Sequence, residues 1–271
     1  MKKVVRGLLA ILIIVIIIGA LFGIKTVKKV YEVESDKISH QINIVQISDF
    51  HSLKNYEEVV YLSSNALADF IVLTGDIFTN SNNYESTVSF IKELTQIAPV
   101  YYVNGNNDNP DGMYKQFKTE IKKLGVTVLE NEGVNIKING QELRIIGIYD
   151  NPYSTAFTEN NREAKEIEDT LNDLIDKDKF NVVLSHRPQY FPQYVESGAD
   201  LVLTGHTHGG MWMIPAINQG LIAPDQGFIP EYDYGMYDEK NTTMIINSGC
   251  TTRNYIPRLY NPKEVVKIEL K

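Results

Sequence analysis

A single cysteine, Cys250, is all the thiol that this 271-residue chain contains. One thiol builds neither an intramolecular disulfide framework nor a cysteine-rich zinc module, so Cys250 reads as a small core residue. Basic side chains are scarce beyond the N-terminus. Residues 1–40 hold seven Lys and Arg against three Asp and Glu, which leaves the other 231 residues with 19 basic and 31 acidic side chains, a net of −12. That balance offers no electrostatic footprint for a phosphodiester backbone and argues against nucleic acid as a partner. Internal repeats and low-complexity tracts are also missing. What remains, 43% apolar and 22% charged, is ordinary globular composition with one exception at the N-terminus.

The exception is an uncharged run of 18 residues from Gly7 to Ile24. At ~1.5 Å per residue it reaches roughly the thickness of a bilayer core. It is longer than the ~7–15-residue apolar region of a signal peptide, and no small-x-small cleavage site follows. A core helix would be amphipathic, whereas Leu12 to Ile18 is apolar on every face. The run therefore reads as a transmembrane helix, with a cleaved signal segment as the alternative. Lys2, Lys3 and Arg6 before it nearly balance Lys25, Lys28 and Lys29 after it. The free amine and the acidic Glu32, Glu34 and Asp36 favour a single-pass protein of the cell membrane with its C-terminal body outside the cytoplasm. The expected division is an anchor over residues 1–30, a polar stalk over 31–40 and one globular domain over 41–271.

From Gln41 onward, short β-branched runs alternate with segments of helical period, the pattern of a layered α/β protein. The strands expected are Ile42–Ile47, Phe70–Thr74, Val100–Val103, Leu143–Ile148, Asn181–Leu184, Leu201–Leu203 and Thr243–Ile246. Val126–Leu129 and Val134–Ile138 read as further strands, the latter turning at Asn139-Gly140. Helices are expected over Tyr56–Ala68, Tyr84–Ile97, Met113–Leu124 and Arg162–Ile175.

Metal-compatible side chains stand just after these strands, in Asp49-Phe50-His51, Gly75-Asp76, Gly105-Asn106-Asn107-Asp108, Ser185-His186 and Gly205-His206-Thr207-His208. In open α/β sheets that carboxyl edge is where ligands bind. Four of the five histidines fall in these segments, and only His40 lies outside. Residues i and i+2 of an extended chain project to one side, so Asp49 and His51 can approach one ion; His206 and His208 share that spacing but on a bend can reach two. An Asp after a strand is often a helix cap and a lone His often a core residue. Five such segments in order are poorly explained that way.

Together these motifs resemble the calcineurin-like metallophosphoesterase superfamily, over essentially all of residues 41–271. Asp200 through Gly210, Leu221-Ile222-Ala223-Pro224 and Pro257-Arg258-Leu259-Tyr260-Asn261-Pro262 are similar to bacterial membrane-associated phosphohydrolases, some of which act on UDP-2,3-diacylglucosamine. The resemblance implies a four-layer α/β/β/α sandwich behind the N-terminal helix. It implies two divalent metal ions, one held by Asp49, His51 and His208 and the other by Asn106, His186 and His206, with Asp76 bridging. Mixed nitrogen and oxygen donors without thiolate suit manganese, with iron or zinc as alternatives. The activity implied is hydrolysis of a phosphodiester or pyrophosphate bond in a small-molecule or lipid-linked substrate. A phosphomonoesterase, or a metal-binding relic without turnover, is the competing reading.

Departures from the superfamily narrow the comparison. Thr79 stands where a purple acid phosphatase places a ligating Tyr, and the Gly-Asp-x-Val-Asp-Arg-Gly continuation of protein phosphatases is missing. Relatives commonly carry a histidine after Gly-Asn, at the general-acid position, where this chain has Asn107. Met211 follows Gly-Gly where near relatives have Gln. The apolar residues of Met211–Tyr237, among them Trp212 and Phe228, form either a rim for an acyl chain or bilayer, or a loop packed over the sheet.

Overall fold

The computed structural model describes residues 2–151, 160–251 and 257–271. In chain order the elements are α1 (Lys2–Gly23), β1 (Thr26–Val33), β2 (Ile42–Ile47), α2 (Glu57–Ser64), β3 (Phe70–Thr74), α3 (Tyr84–Thr95), β4 (Val100–Val103), α4 (Tyr114–Lys123), β5 (Thr127–Val128), β6 (Glu132–Ile138) and β7 (Gln141–Gly147). There follow α5 (Asn160–Leu174), β8 (Phe180–Leu184), α6 (Phe191–Ser197), β9 (Leu201–Thr204), β10 (Met213–Ile214), β11 (Gln219–Gly220), β12 (Ile222–Ala223), β13 (Gly227–Phe228), β14 (Gly235–Glu239), β15 (Thr242–Ile246) and β16 (Lys263–Leu270).

Two six-stranded sheets form the body, one ordered β1-β16-β2-β3-β4-β5 and the other β14-β15-β9-β8-β7-β6. Strands β2 to β5 run parallel in the first, and β7, β8, β9 and β15 run parallel in the second. Their central strands are near-continuous apolar runs because both faces are covered. Phe70 and Val72 of β3 point into a core shared with Ile145, Val182 and Leu203 of the second sheet. Ile71 and Leu73 of the same strand point the other way, onto Phe90, Leu94, Phe117 and Ile121 of α3 and α4. On the far face of the second sheet, Ile146, Val183 and Val202 meet Ile167, Leu171 and Tyr194 of α5 and α6. The helices earn their positions by period: α3 buries Thr87, Phe90, Ile91 and Leu94, a spacing of three and four residues.

Residues 26–33, expected as the end of the anchor and the start of the stalk, form a strand of the first sheet. Thr26–Val33 pairs in parallel with β16 along its whole length, from Thr26 opposite Lys263 to Val33 opposite Leu270. Lys28, Lys29 and Val30 are exposed, so this edge strand lacks the apolar signal of its neighbours, and its pairing comes from β16. Helix α2 stops at Ser64 rather than Ala68, α6 is an added helix, and β10 to β13 make two small hairpins inside Met211–Tyr237. The apolar helix α1 is exposed almost throughout, with only Gly19 and Gly23 buried.

Candidate metal centre

Parallel strands align the carboxyl ends of β2, β3, β4, β8 and β9, and the seven expected ligand residues all leave from those ends. The turns that carry them are tight. Asp49, His51, Asp76, His206 and His208 have φ between 48° and 71°, the left-handed region. Such residues cost on the order of 1 kcal/mol or more each and persist where the surroundings over-determine them. Here adjoining loops do so by backbone pairing, Asp49 N–H to Gly75 O at 3.0 Å, His51 N–H to Asp76 O at 2.9 Å and Ser52 N–H to Ile77 O at 2.9 Å. Gly205 is required by close approach, since a Cβ there would collide with Ser48 Oγ and Asp49 Oδ2.

Asp49 and Asp76 are both buried at the middle of the cluster. Asp49 Oδ2 accepts from Ser48 Oγ (2.7 Å) and His206 N–H (3.0 Å). Its Oδ1 faces His51 Nε2 at 3.9 Å and His208 Nε2 at 3.7 Å. Asp76 Oδ2 lies 3.7 Å from His51 Nε2 and 3.5 Å from His186 Nε2, and accepts from Asn107 Nδ2 at 2.7 Å. Two triads result, Asp49 with His51 and His208, and Asp49 with Asp76 and His186, each with ligand atoms within 4.8 Å of one another. The first coincides with the set expected for one ion. The second draws on Asp49 as well as Asp76, while His206 lies outside both triads, its ring 4.9 Å from that of His186.

Electrostatics asks for positive charge here. Burial opposes ionisation of both carboxyls, yet neighbouring imidazoles, His186 and His51 for Asp76 and His208 first for Asp49, hold both below the usual carboxylate range. Burial first, with the neighbouring His51 and Arg258 charges, pushes His208 well down against the pull of Asp49, toward the neutral form that can ligate. Asp49 Oδ1, Asn106 Oδ1, His186 Nε2 and His208 Nδ1 are buried with no hydrogen-bond partner among the described residues. Buried polar atoms are rarely left so. A cation of nitrogen and oxygen preference satisfies such a set, and the residues present therefore fit divalent metal.

Surrounding groups orient the donors. His186 Nδ1 is 2.8 Å from Thr74 O, a carbonyl that can only accept, so Nδ1 carries a proton and Nε2 is turned toward Asp76 Oδ2. His51 Nδ1 meets Thr79 Oγ1 at 3.2 Å. His206 Nε2 meets Asp225 Oδ2 at 2.8 Å, and Asp225 is itself held by Arg187 Nη1 at 2.6 Å. Arg187 forks onto Asp150 at 2.8 and 3.0 Å. Asp108 braces two loops, accepting from Phe78 N–H (2.6 Å) and Gly105 N–H (2.7 Å). Asn261 Nδ2 donates to His208 O at 2.6 Å, and the buried Arg258 donates to Ser248 O and Thr251 O. Sequence reading named none of Asp225, Arg187 and Asp150 as site residues, because they act through one another and through His206, at separations of 19 to 38 residues.

A family model described as calcineurin-like phosphoesterase matches residues 42–210. An uncharacterized metallophosphoesterase of Aquifex aeolicus is 28% identical over 276 residues, covering 95% of this chain and 98% of its own length. One from Campylobacter jejuni is 26% identical over 90% of this chain, which spans only 63% of that relative. Phosphodiesterase YaeI of Escherichia coli is 27% identical over 64% of this chain and 60% of its own length. A crystal structure at 12% identity, covering 78% of this chain and 91% of its own, superposes with a TM-score of 0.51, a likeness of fold alone.

Proposed function

The chain belongs to the calcineurin-like phosphoesterase family; on that premise we propose a metal-dependent phosphoester hydrolase, a two-metal enzyme that cleaves a phosphodiester or pyrophosphate bond of a lipid- or nucleotide-linked substrate at a membrane. The observation that carries the reading is the pair of triads sharing Asp49, with buried, partnerless atoms on Asp49, His186 and His208. Divalent ions held there by Asp49, His51, Asp76, Asn106, His186, His206 and His208 would supply Lewis-acid binding of phosphoryl oxygens and a water activated at neutral pH. Donors without thiolate favour manganese, then iron or zinc.

The chain's own residues do the rest. Thr74 O and Asp225 fix the faces that His186 and His206 present. Asn107 donates to both oxygens of Asp76, through its backbone N–H at 2.8 Å and its amide at 2.7 Å. An amide orients that carboxylate but surrenders no proton, so this chain lacks the usual general acid. Leaving groups that depart without protonation, such as phosphate with its second pKa of about 6, are then favoured over alkoxides. The phosphodiesterase name of the Escherichia coli relative, and the likeness of residues 200–210, 221–224 and 257–262 to membrane-associated hydrolases of UDP-2,3-diacylglucosamine type, support a diester or pyrophosphate. Helix α1 as a single-pass anchor, with the two-sheet body outside the cytoplasm, completes the reading.

Full-length protein stripped of metal, reloaded with manganese or zinc and offered monoesters, diesters and lipid pyrophosphates tests it. Turnover of a diester or pyrophosphate, lost in Asp76→Asn with the fold retained, is the expected result. Preference for monoesters overturns the bond class, and metal binding without any turnover makes the chain a relic.

A further inference from the structure

Large apolar side chains on and beside the small hairpins face solvent, among them Trp212, Ile222, Phe228 and Ile229, with Phe228 73% exposed. Backbone bonds link the segments that bear them. Ile222 and Phe228 are directly paired across β12–β13. Leu221 N–H donates to Trp212 O at 2.8 Å, and Ile229 N–H to Leu221 O at 2.9 Å. Trp212 bridges in parallel to Leu259, and its indole donates to Pro257 O at 2.9 Å.

That surface continues into α1. Tyr260, next to Leu259, donates its N–H to Gly19 O at 2.9 Å and its hydroxyl to Val15 O at 2.8 Å, while Phe22 stacks on its ring at 6.1 Å. Gly19 and Gly23 let the body approach; a Cβ on Gly19 would meet the Tyr260 ring at 2.7 Å. From Val15 to Gly23 the helix rises ~12 Å, so about that length lies alongside the domain. A helix apolar on every face calls for a hydrocarbon surrounding. Whatever surrounds α1 therefore reaches the domain edge that bears Tyr260 and Trp212. Aromatic rings at the helix exit and Lys25, Lys28 and Lys29 just beyond it match the headgroup level and its anionic lipids.

We propose that Trp212, Ile222, Phe228 and Ile229 form a second membrane contact, seated at the headgroup–acyl boundary of the bilayer that holds α1, and that it presents amphiphiles carrying phosphate at that depth to the metal centre. The β12–β13 hairpin supplies the link: its two strands bear Ile222 and Phe228, and Asp225 in its turn reaches His206. The membrane contact stands apart from the phosphoesterase reading, whereas the substrate class rests on it.

Trp212 is the chain's only tryptophan, so indole emission reports this surface alone. Full-length wild-type and W212F/F228W chains are reconstituted in vesicles of phosphatidylcholine and phosphatidylglycerol, with and without bromine on the acyl chains. Both indoles should shift to the blue, be quenched by brominated lipid and resist aqueous iodide. A W212F/F228W chain that floats with vesicles yet keeps water-like, iodide-accessible emission overturns the contact and leaves the patch to a protein partner. In parallel, I222S/F228S should lose at least about tenfold on a long-chain phosphodiester in vesicles, with hydrolysis of soluble bis(p-nitrophenyl) phosphate unchanged. Equal rates of both proteins on the vesicle substrate overturn the amphiphile class. Failure of wild type on both substrates overturns the phosphoesterase reading and the substrate class with it, while the quenching result still decides the contact.

Discussion

Asp225 sits in a two-strand turn, 19 residues after the histidine whose ring it holds, and also neutralises one arm of Arg187. Such a carboxylate fixes an imidazole's tautomer and direction. Asp225→Asn should weaken metal binding roughly 10–100-fold, read by competition with a chromophoric chelator. The metal-free protein should unfold near its usual temperature, because Arg187 keeps its fork on Asp150; unchanged metal affinity would contradict the positioning role. At Asn107, the His variant restores a proton donor that should raise turnover of alkyl esters more than of aryl esters, by up to about 10²-fold. An equally steep dependence of rate on leaving-group pKa in both proteins would sink the missing-acid argument. Glu264 is a different kind of residue: burial pushes its carboxyl up to about 7, against the pull of Ser248 N–H, the Tyr234 hydroxyl, Arg258 and Lys29. The folded state then holds a proton that the unfolded state releases near pH 4.5, so this group's contribution to stability falls as pH rises from 4.5 through 7. Glu264→Gln should shrink the loss of thermal midpoint between pH 5 and pH 8 at fixed metal.

At the scale of elements, what was legible depended on how many faces a strand buries. The expected strands at β2, β3 and β4 agree with the structure to the residue because each is buried on both sides and bounded by turn residues. Strand β16 alternates legibly at Val266, Ile268 and Leu270, and carried a signal that the reading left unassigned. Strand β1 carried little, since its outer half faces water and its register is dictated by β16. Strands of two residues, such as β10 to β13, are held by tertiary contacts that no periodicity encodes. Where the folded body begins after the apolar helix α1 follows from β1. A chain beginning at Lys25 keeps the strand and should unfold cooperatively close to the full-length midpoint. One beginning at Glu34 removes Tyr31 and Val33 from the inter-sheet core and bares the edge of β16. It should lose at least ~2 kcal/mol in denaturant titration and aggregate more readily; equal stability of the two truncated chains would show that β1 is dispensable.

Across the whole molecule, the candidate ligands are contributed by both sheets and span the chain from Asp49 to His208. Their chemistry was readable because Asp and His at strand ends keep their identity whatever packs around them. The residues that orient them were not, because Asp150, Arg187 and Asp225 matter only through partners up to 38 positions away. The shared placement of Asp49 in both triads has a consequence in time rather than in place. A cation that draws on donors from both sheets finds its full set only after the sheets have docked, late on the way to the native chain. Metal should therefore slow unfolding while leaving the refolding rate nearly as it is, a low-φ stabilisation. Stopped-flow experiments with and without chelator measure both limbs. A refolding rate that rises in proportion to metal affinity would place the centre early instead, while the expected result makes metal supply a control on how long each molecule lasts.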